Sequence, residues 1–325
     1  METPLDESYD LCCRHARKTA RNFYCSFRGL PSRQFRSMCT LYSYMRICDD
    51  IGDDLSIPLD VRRERLAAWE RIVRRFLGVT DSATPPLQRE QADSRISHCE
   101  SELWVLPALR DIVSHHRIPE KYLLDVICGV RMDLDATEPS SHPTALECRY
   151  QTFDELRNYC YHVAGVVGLC CIHVWGFQGE SAIQRAVDCG LAFQLTNILR
   201  DLAEDSEDGR VYLPQEDLDR FGYTADEIRQ RVNDDRFRRL MAFQISRTEE
   251  YYRKAQGLYP HLDPSGRPIL HAMVRVYGGL LNEIRKRDGD VYSQHISLPV
   301  WQKLLISADA MIRRRFPGKS FQTDF

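Results

Sequence analysis

No two of the 12 cysteines stand in a C-x-x-C arrangement, which removes the spacing of a structural zinc site and of a disulfide framework. Most sit inside apolar patterns (Cys39, Cys48, Cys128, Cys160, Cys170, Cys171), where a free thiol behaves as a small hydrophobe. The first ten residues are acidic and lack an apolar stretch, so the sequence predicts no secretory signal and a reduced, cytoplasmic setting. No apolar run reaches the roughly 18 residues of a membrane span. The longest, Val163 to Phe177, is interrupted by His173 and reads as a buried core helix. Charge of one sign is missing as well: a net −3 gives no electrostatic reason to expect nucleic acid. Alternating strand patterns, internal repeats, a dividing linker and a dinucleotide fingerprint are all absent. What remains is an ordinary globular composition, 43% hydrophobic and 28% charged over 325 residues, long enough for a sizeable core.

Nearly every segment shows helical periodicity. Helices are expected near residues 6–27, 32–54, 58–77, 101–115, 119–135, 153–177, 180–204, 233–259, 264–287 and 298–315. Loops are expected at 79–86 and 138–148, and a connecting segment at 206–222. The pattern reads as one all-α domain over residues 1–325, with its core at about 15–306. The basic Arg313-Arg314-Arg315-Phe316 is read as a solvated helix end, with contact at an anionic membrane face as the alternative.

The chemistry concentrates in Gln194-Leu195-Thr196-Asn197-Ile198-Leu199-Arg200-Asp201-Leu202-Ala203-Glu204-Asp205, followed by Gly209-Arg210-Val211-Tyr212-Leu213-Pro214. At 3.6 residues per turn, Gly190, Gln194, Asn197, Asp201 and Asp205 share one stripe, flanked by leucines and Ile198. Such a stripe is either a solvated flank or a polar site cut into a core. A second acidic cluster, Asp49-Asp50-Ile51-Gly52-Asp53-Asp54, continues the face of Met38, Tyr42 and Met45. Acids at a helix C-terminus oppose its dipole, so two such pairs point to a shared cationic ligand. Oxygen-only ligands suit Mg²⁺, which one or two carboxylates plus substrate phosphates can hold. Arg46, Arg200 and Arg210 offer the forks that match phosphate. In Tyr159-Cys160-Tyr161-His162-Val163-Ala164-Gly165-Val166-Val167-Gly168, small residues on a helix either permit close helix packing or open room for a long apolar ligand.

Together these residues resemble the squalene/phytoene synthase family, from about Arg21 to Leu305. The most specific pieces are Tyr159–Gly165, Gln194–Asp201, and the continuation through Asp205 to Arg210-Val211-Tyr212-Leu213-Pro214. The resemblance implies an isoprenoid-synthase fold, a single helical domain around a central cavity, with two Asp-rich helices facing each other. It implies Mg²⁺ at Asp49 and Asp53 at one end, and at Asn197, Asp201 and Asp205 at the other. Arg46, Arg200, Arg210 and Tyr212 would contact diphosphate, and Tyr159 and Gln194 would sit around the reacting carbons. Arg21, Asn22, Phe23, Phe27, Val163, Val167, Gly168 and Gly190 would line the substrate channels. The implied reaction is head-to-head condensation of two farnesyl diphosphates to presqualene diphosphate, continuing to squalene or dehydrosqualene with or without hydride from NADPH.

The alternatives are a phytoene synthase using geranylgeranyl diphosphate, a head-to-tail prenyltransferase or terpene cyclase, and a non-catalytic assembly factor. The last would be expected to lose its metal carboxylates, whereas all four are present. One departure stands out. Val291-Tyr292-Ser293-Gln294-His295-Ile296 has glutamine and histidine where relatives place one or two arginines, which puts one diphosphate contact and the second half-reaction in question. The membrane anchor that follows the catalytic domain in eukaryotic squalene synthases has no counterpart in the sequence.

Overall fold

The computed structural model describes residues 3–20, 22–79, 97–136 and 146–299. Arg21 and the expected helix beyond residue 299 lie outside them, as do most of the two expected loops; the side chains of Asn22 and Phe23 are likewise outside. Among the described residues every regular element is helical, and the only extended pairings are isolated bridges, Cys148 with Val211 and Phe177 with Leu262. None of these helices is long and apolar enough to cross a membrane. The chain divides into two compact units: residues 1–138 with 170–176, and residues 139–169 with 177–325.

The first unit holds α1 (Leu5–Thr19), α2 (Asn22–Phe27), α3 (Ser32–Asp53), α4 (Leu59–Leu77), a 3₁₀ segment (Ser97–Val105), α5 (Leu106–His116) and α6 (Glu120–Asp135). Helices α1, α3, α4 and α6 each begin directly after a proline in extended conformation, Pro4, Pro31, Pro58 and Pro119. The ring presets φ, and its missing N–H costs nothing at a helix start. The single helix expected over residues 6–27 is broken after Thr19, whose hydroxyl bonds back to the His15 carbonyl at 2.8 Å and takes up an acceptor in the last turn.

Helix α3 is the axis of this unit. Met38, Cys39, Leu41, Tyr44, Ile47, Cys48 and Ile51 are buried along it, packed against α1, α4, α5 and α6. The Tyr44 hydroxyl donates to Leu123 O on α6 at 2.8 Å, as a buried phenol must find a partner. Gly52 lies against Val130, where an added Cβ would come within 2.5 Å of Val130 Cγ1. Arg62 from α4 donates to the Gly52 carbonyl at 2.6 Å. That contact places a cation on the unsatisfied carbonyls at the α3 C-terminus, beside Asp49 and Asp53.

The second unit begins with α7 (Phe153–Cys160), capped by a reciprocal pair in which Thr152 accepts from the Glu155 amide and Glu155 from the Thr152 amide. A π turn (Tyr161–Gly165) and α8 (Val166–Trp175) follow, replacing the unbroken helix expected over 153–177. The Val166 N–H reaches back five residues to Tyr161 O, the bond that defines such a bulge. The end of α8, from Cys170, belongs with the first unit.

Next come α9 (Ser181–Arg200), α10 (Leu202–Glu207), α11 (Gln215–Phe221), α12 (Ala225–Arg229), α13 (Asp235–Gln256), a 3₁₀ turn (Tyr259–His261) and α14 (Arg267–Lys286). Helix α9 is central, packed against α7, the π turn, α13 and α14. Its buried Thr196 hydroxyl pairs with Tyr252 of α13 at 2.9 Å. Helices α11 and α12 fall where the sequence reads as a connection or carries no assignment. Their turns are too short for apolar periodicity to register, although Pro214 and the Thr224 capping box mark their starts.

The tightest approach of backbone to backbone at a glycine is at Gly190. A Cβ there would lie 2.5 Å from Ala164 O and 2.8 Å from Gly165 Cα, and one at Gly168 would lie 2.9 Å from Ala186 O. Backbone occupies the space a side chain would take at both glycines, so close packing of α9 on the π turn and α8 accounts for them. Gly190→Ala is therefore expected to lower stability by about 1–3 kcal/mol, the usual range for overpacking. Urea denaturation should show a reduced midpoint with an unchanged slope.

Candidate active site

In the first unit the last turns of α3 carry Arg46, Asp49, Asp50 and Asp53. Arg46 pairs with Asp50 at 2.5 Å rather than with Asp49. Asp49 is open to solvent yet closely surrounded by protein. Lost hydration, then repulsion from Asp53, pushes its pKa up to about 7, against the pull of Arg46. Asp133 on α6 adds to that repulsion. It is a fourth carboxylate at this end, which the sequence reading missed because Asp133 lies in an ordinary amphipathic pattern. Phe27 is buried in the same unit.

In the second unit, Gln194, Asn197, Arg200, Asp201, Asp205 and Arg210 are all half-buried, while Leu195, Thr196, Ile198, Leu199, Leu202 and Ala203 beside them are buried. Of the two readings of this stripe, the burial pattern favours a polar site cut into the core. The expected single helix bends at Asp201, where φ is −96° and ψ 9°. The hydrogen-bond ladder nevertheless continues from Asp201 N to Asn197 O and from Asp205 N to Asp201 O, each 2.8 Å.

Arg200 forks onto its own neighbour, Nε to Asp201 Oδ1 at 2.6 Å and Nη2 to Oδ2 at 2.5 Å. Arg210 bonds Asp208 at 2.9 Å and stands 4.0 Å from Asp205. Burial pushes the Asp205 carboxyl up to about 6; Arg210 opposes this, Asp201 adds to it, and Arg149 opposes it. Asn197 donates to Gln194 Oε1 at 3.5 Å, while its own Oδ1 is buried without a hydrogen-bond partner.

Tyr159 and Tyr212 stack with centroids 5.4 Å apart, and Tyr150 lies 5.5 Å from Tyr159. Val163 and Val167 are half-buried on the π turn and α8. Two further residues join this end without having been singled out in the sequence. Tyr277 of α14 stacks on Phe193 at 4.5 Å and hydrogen-bonds Asn197, but it reads in sequence as one apolar position among many. Arg149 reaches Tyr212 from the short stretch after the expected loop, which carries no assignment in the sequence. The departing residue His295 bonds Glu204 of α10 at 3.0 Å, and Tyr292 stacks on Phe237 at 4.6 Å.

The donor chemistry fits a hard divalent cation. Each acid pair has a carboxylate raised by burial and by its partner, and a buried amide oxygen faces no donor at Asn197. Among the described residues no group of three or more His, Cys, Asp or Glu is placed to hold a metal unaided. A pair of carboxylates completed by substrate phosphates is the arrangement Mg²⁺ accepts. A separate cavity of about 550 Å³ between α7, α9 and α13, lined by Arg157, Arg185, Asp188 and Lys254 among others, includes none of these residues.

Residues 16–302 match the family described as squalene/phytoene synthase. The chain belongs to that family. Its members are of the prenyltransferase type and act on isoprenoid diphosphates. Over 321 residues the chain is 30% identical to a 15-cis-phytoene synthase of Synechococcus elongatus, covering 95% of this chain and 94% of the relative. It is 32% identical to a 15-cis-phytoene synthase of Synechocystis, covering 95% and 86%. Among solved structures, a dehydrosqualene synthase bound to a ligand superposes with a TM-score of 0.71 at 23% identity, covering 96% of this chain and 98% of that one. Squalene synthase HpnC from Alicyclobacillus acidocaldarius superposes at 0.72 and 23% identity, covering 88% and 97%. The isoprenoid-synthase fold expected from the sequence is thereby found.

The raised Asp49 carboxyl has a consequence for stability. In the folded protein it binds its proton up to about pH 7, against 3.8 for a free carboxyl, so its contribution favours folding in acid and is lost as pH rises across that interval. Without divalent cations, Asp49→Asn is expected to raise the melting temperature at pH 8 and to leave it near wild type at pH 4.5. Thermal melts in chelator at the two pH values check this.

Proposed function

We propose that this family member is a Mg²⁺-dependent synthase joining two like prenyl diphosphates head-to-head, with geranylgeranyl diphosphate as substrate and a phytoene-type hydrocarbon as product. The observation that carries the chain length is identity of 30–32% over 95% or more of the chain to relatives named phytoene synthase. It favours the longer substrate over farnesyl diphosphate, which the sequence reading put first.

In this reading Asp49 and Asp53 would hold Mg²⁺ at one end, and Asp201, Asp205 and Asn197 at the other, where it would supply positive charge that neutralises diphosphate as a leaving group. Arg46, Arg200 and Arg210 grip the phosphate oxygens by exchanging their carboxylate partners for them, and Tyr212 lies beside Arg210 to donate its phenol. The allylic C–O bond breaks, and its electron pair leaves with diphosphate. The double bond of the second prenyl chain attacks the cation, and loss of a proton closes a cyclopropane. Tyr159, stacked on Tyr212, offers an aromatic face to a passing cation. Val163 and Val167 supply apolar surface that keeps water from quenching it.

The test is incubation of purified protein with Mg²⁺ and either geranylgeranyl or farnesyl diphosphate, with and without NADPH. Extracts are treated with phosphatase and identified by mass spectrometry. Phytoene from the C20 substrate is expected. Presqualene alcohol or squalene from the C15 substrate alone would reassign the chain length, and no product from either would overturn the enzyme reading. Asp201→Asn is expected to reduce turnover by at least about 100-fold, the scale of losing a main electrostatic contact, while the circular dichroism spectrum is unchanged.

A further inference from the structure

We propose that Cys13 of α1 and Cys39 of α3 form a peroxide-sensitive dithiol, which closes into a disulfide that fastens α1 to the helix bearing Asp49 and Asp53. The register of the two helices brings these thiols together. Asp6 pairs with Arg36 at 3.1 Å, and the Arg36 guanidinium stands 4.3 Å from the centre of the Tyr9 ring. Two turns further along α3, Ser43 Oγ donates to Cys12 O at 3.2 Å and meets His15 Nδ1 at 3.1 Å. Both helices therefore advance in the same direction, and Cys13 and Cys39 fall between these fixed points. A side chain that reaches the backbone of the other helix requires the two to lie close, and the small buried residues Cys12, Ala16, Thr40 and Ser43 allow it. The Cys13 and Cys39 thiols hydrogen-bond one another across this contact. Rotation of side chains, rather than movement of a helix, is then what a bond between them needs.

The pair is chemically unlike the cysteines of the core. Burial pushes Cys12, Cys48, Cys148 and Cys171 up to about 12. Cys13 is half-buried and lies below the usual thiol range: the bond from the Cys39 S–H favours its thiolate, burial opposes it, Arg36 favours it, and Asp10 opposes it. Cys39 is buried and raised, first by that bond, then by burial and by the charge on Cys13. An accessible thiolate with a second thiol in reach is the arrangement that peroxide oxidises and a neighbour resolves. The Cys13 thiolate attacks one oxygen of hydrogen peroxide, the O–O bond breaks, hydroxide leaves, and Cys13 becomes a sulfenic acid. With the Cys13 charge gone, so is one reason that Cys39 keeps its proton. The Cys39 sulfur attacks the Cys13 sulfur, the S–O bond breaks, and the departing hydroxide takes the Cys39 proton as water. Two thiols are oxidised and one peroxide, with the proton first lost from Cys13, is reduced to two waters. The bridge closes a ring of chain that contains α2, and a thiol reductant reopens it.

The test treats the reduced full chain with hydrogen peroxide, blocks the remaining thiols with N-ethylmaleimide and maps tryptic peptides by mass spectrometry. The peptide ending at residue 14 should appear joined to peptide 37–46, two hydrogen atoms lighter than the separate pair, and should come apart in dithiothreitol. Cys12 shares the first peptide, so variants assign the partner: the joined peptide should persist in Cys12→Ser and vanish in Cys13→Ser and Cys39→Ser. In Cys39→Ser, dimedone should label Cys13, because its sulfenic acid has no thiol to resolve it. Cys39→Ala takes its place if a buried hydroxyl prevents folding. At pH 7, Cys13 should react with iodoacetamide at least about threefold faster than Cys128, which is also half-buried but is raised by burial. Complete maleimide labelling of Cys13 and Cys39 in wild-type chain after peroxide overturns the proposal, whether or not any variant folds. A joined peptide that survives Cys13→Ser, or that is lost in Cys12→Ser, overturns it by assigning the bridge to Cys12. Equal alkylation of Cys13 and Cys128 overturns it by removing the thiolate on which the first step depends.

Discussion

The second unit depends on how closely α9 can be seated. A helix that carries Gln194, Asn197 and Arg200 half-buried among buried leucines pays desolvation along its whole length, and only dense packing on its remaining faces offsets that. The contact at Gly190 supplies it: α9 backbone meets the π turn at Ala164 and Gly165 with no room for a methyl group. The bulge and the glycine are two halves of one device. The π turn displaces its backbone toward α9, and the missing side chain lets α9 accept it. The polar stripe is then held at a fixed depth, from which Asp201 and Asp205 continue across the bend into α10.

In the first unit the equivalent problem is solved by charge. Three aspartates in the last turns of α3 face the negative end of their own helix dipole. Arg62 on the Gly52 carbonyl and Arg46 on Asp50 offset this in part, but the pull of Arg46 on Asp49 does not cancel its lost hydration and the repulsion from Asp53, and its affinity for a proton stays raised. Both acid ends therefore hold a residual demand for positive charge, met by different surroundings.

The helical architecture and the acid pairs were legible because both rest on period and spacing. Leu195, Ile198 and Leu199 repeat at helical intervals whatever the tertiary context, and Asp49/Asp53 and Asp201/Asp205 declare themselves by being acids where a helix should not want them. What escaped was whatever depends on residues distant in sequence. Arg149 acts through a pairing with Val211, and Tyr277 through α14 lying against Phe193; neither partner can be inferred from local pattern. The π turn escaped for another reason, since one added residue per turn shifts the helical face by too little to disturb an apolar run as uniform as Val163–Cys171. At Gly168 and Gly190 the close contact of neighbouring backbone was one of the two readings open in the sequence, and only the tertiary structure shows it.

The fork between Arg200 and Asp201 has a consequence for traffic through this end. The two residues adjoin in sequence, so the carboxylate can never diffuse away from the guanidinium it grips. Any anion that binds Arg200 must displace a tethered rival, and any cation that binds Asp201 must do the same from the other side. The chain thus carries its own competing ligand at a fixed, high effective concentration. A cation and an anion arriving together meet less resistance than either alone, and when they leave, the fork closes behind them.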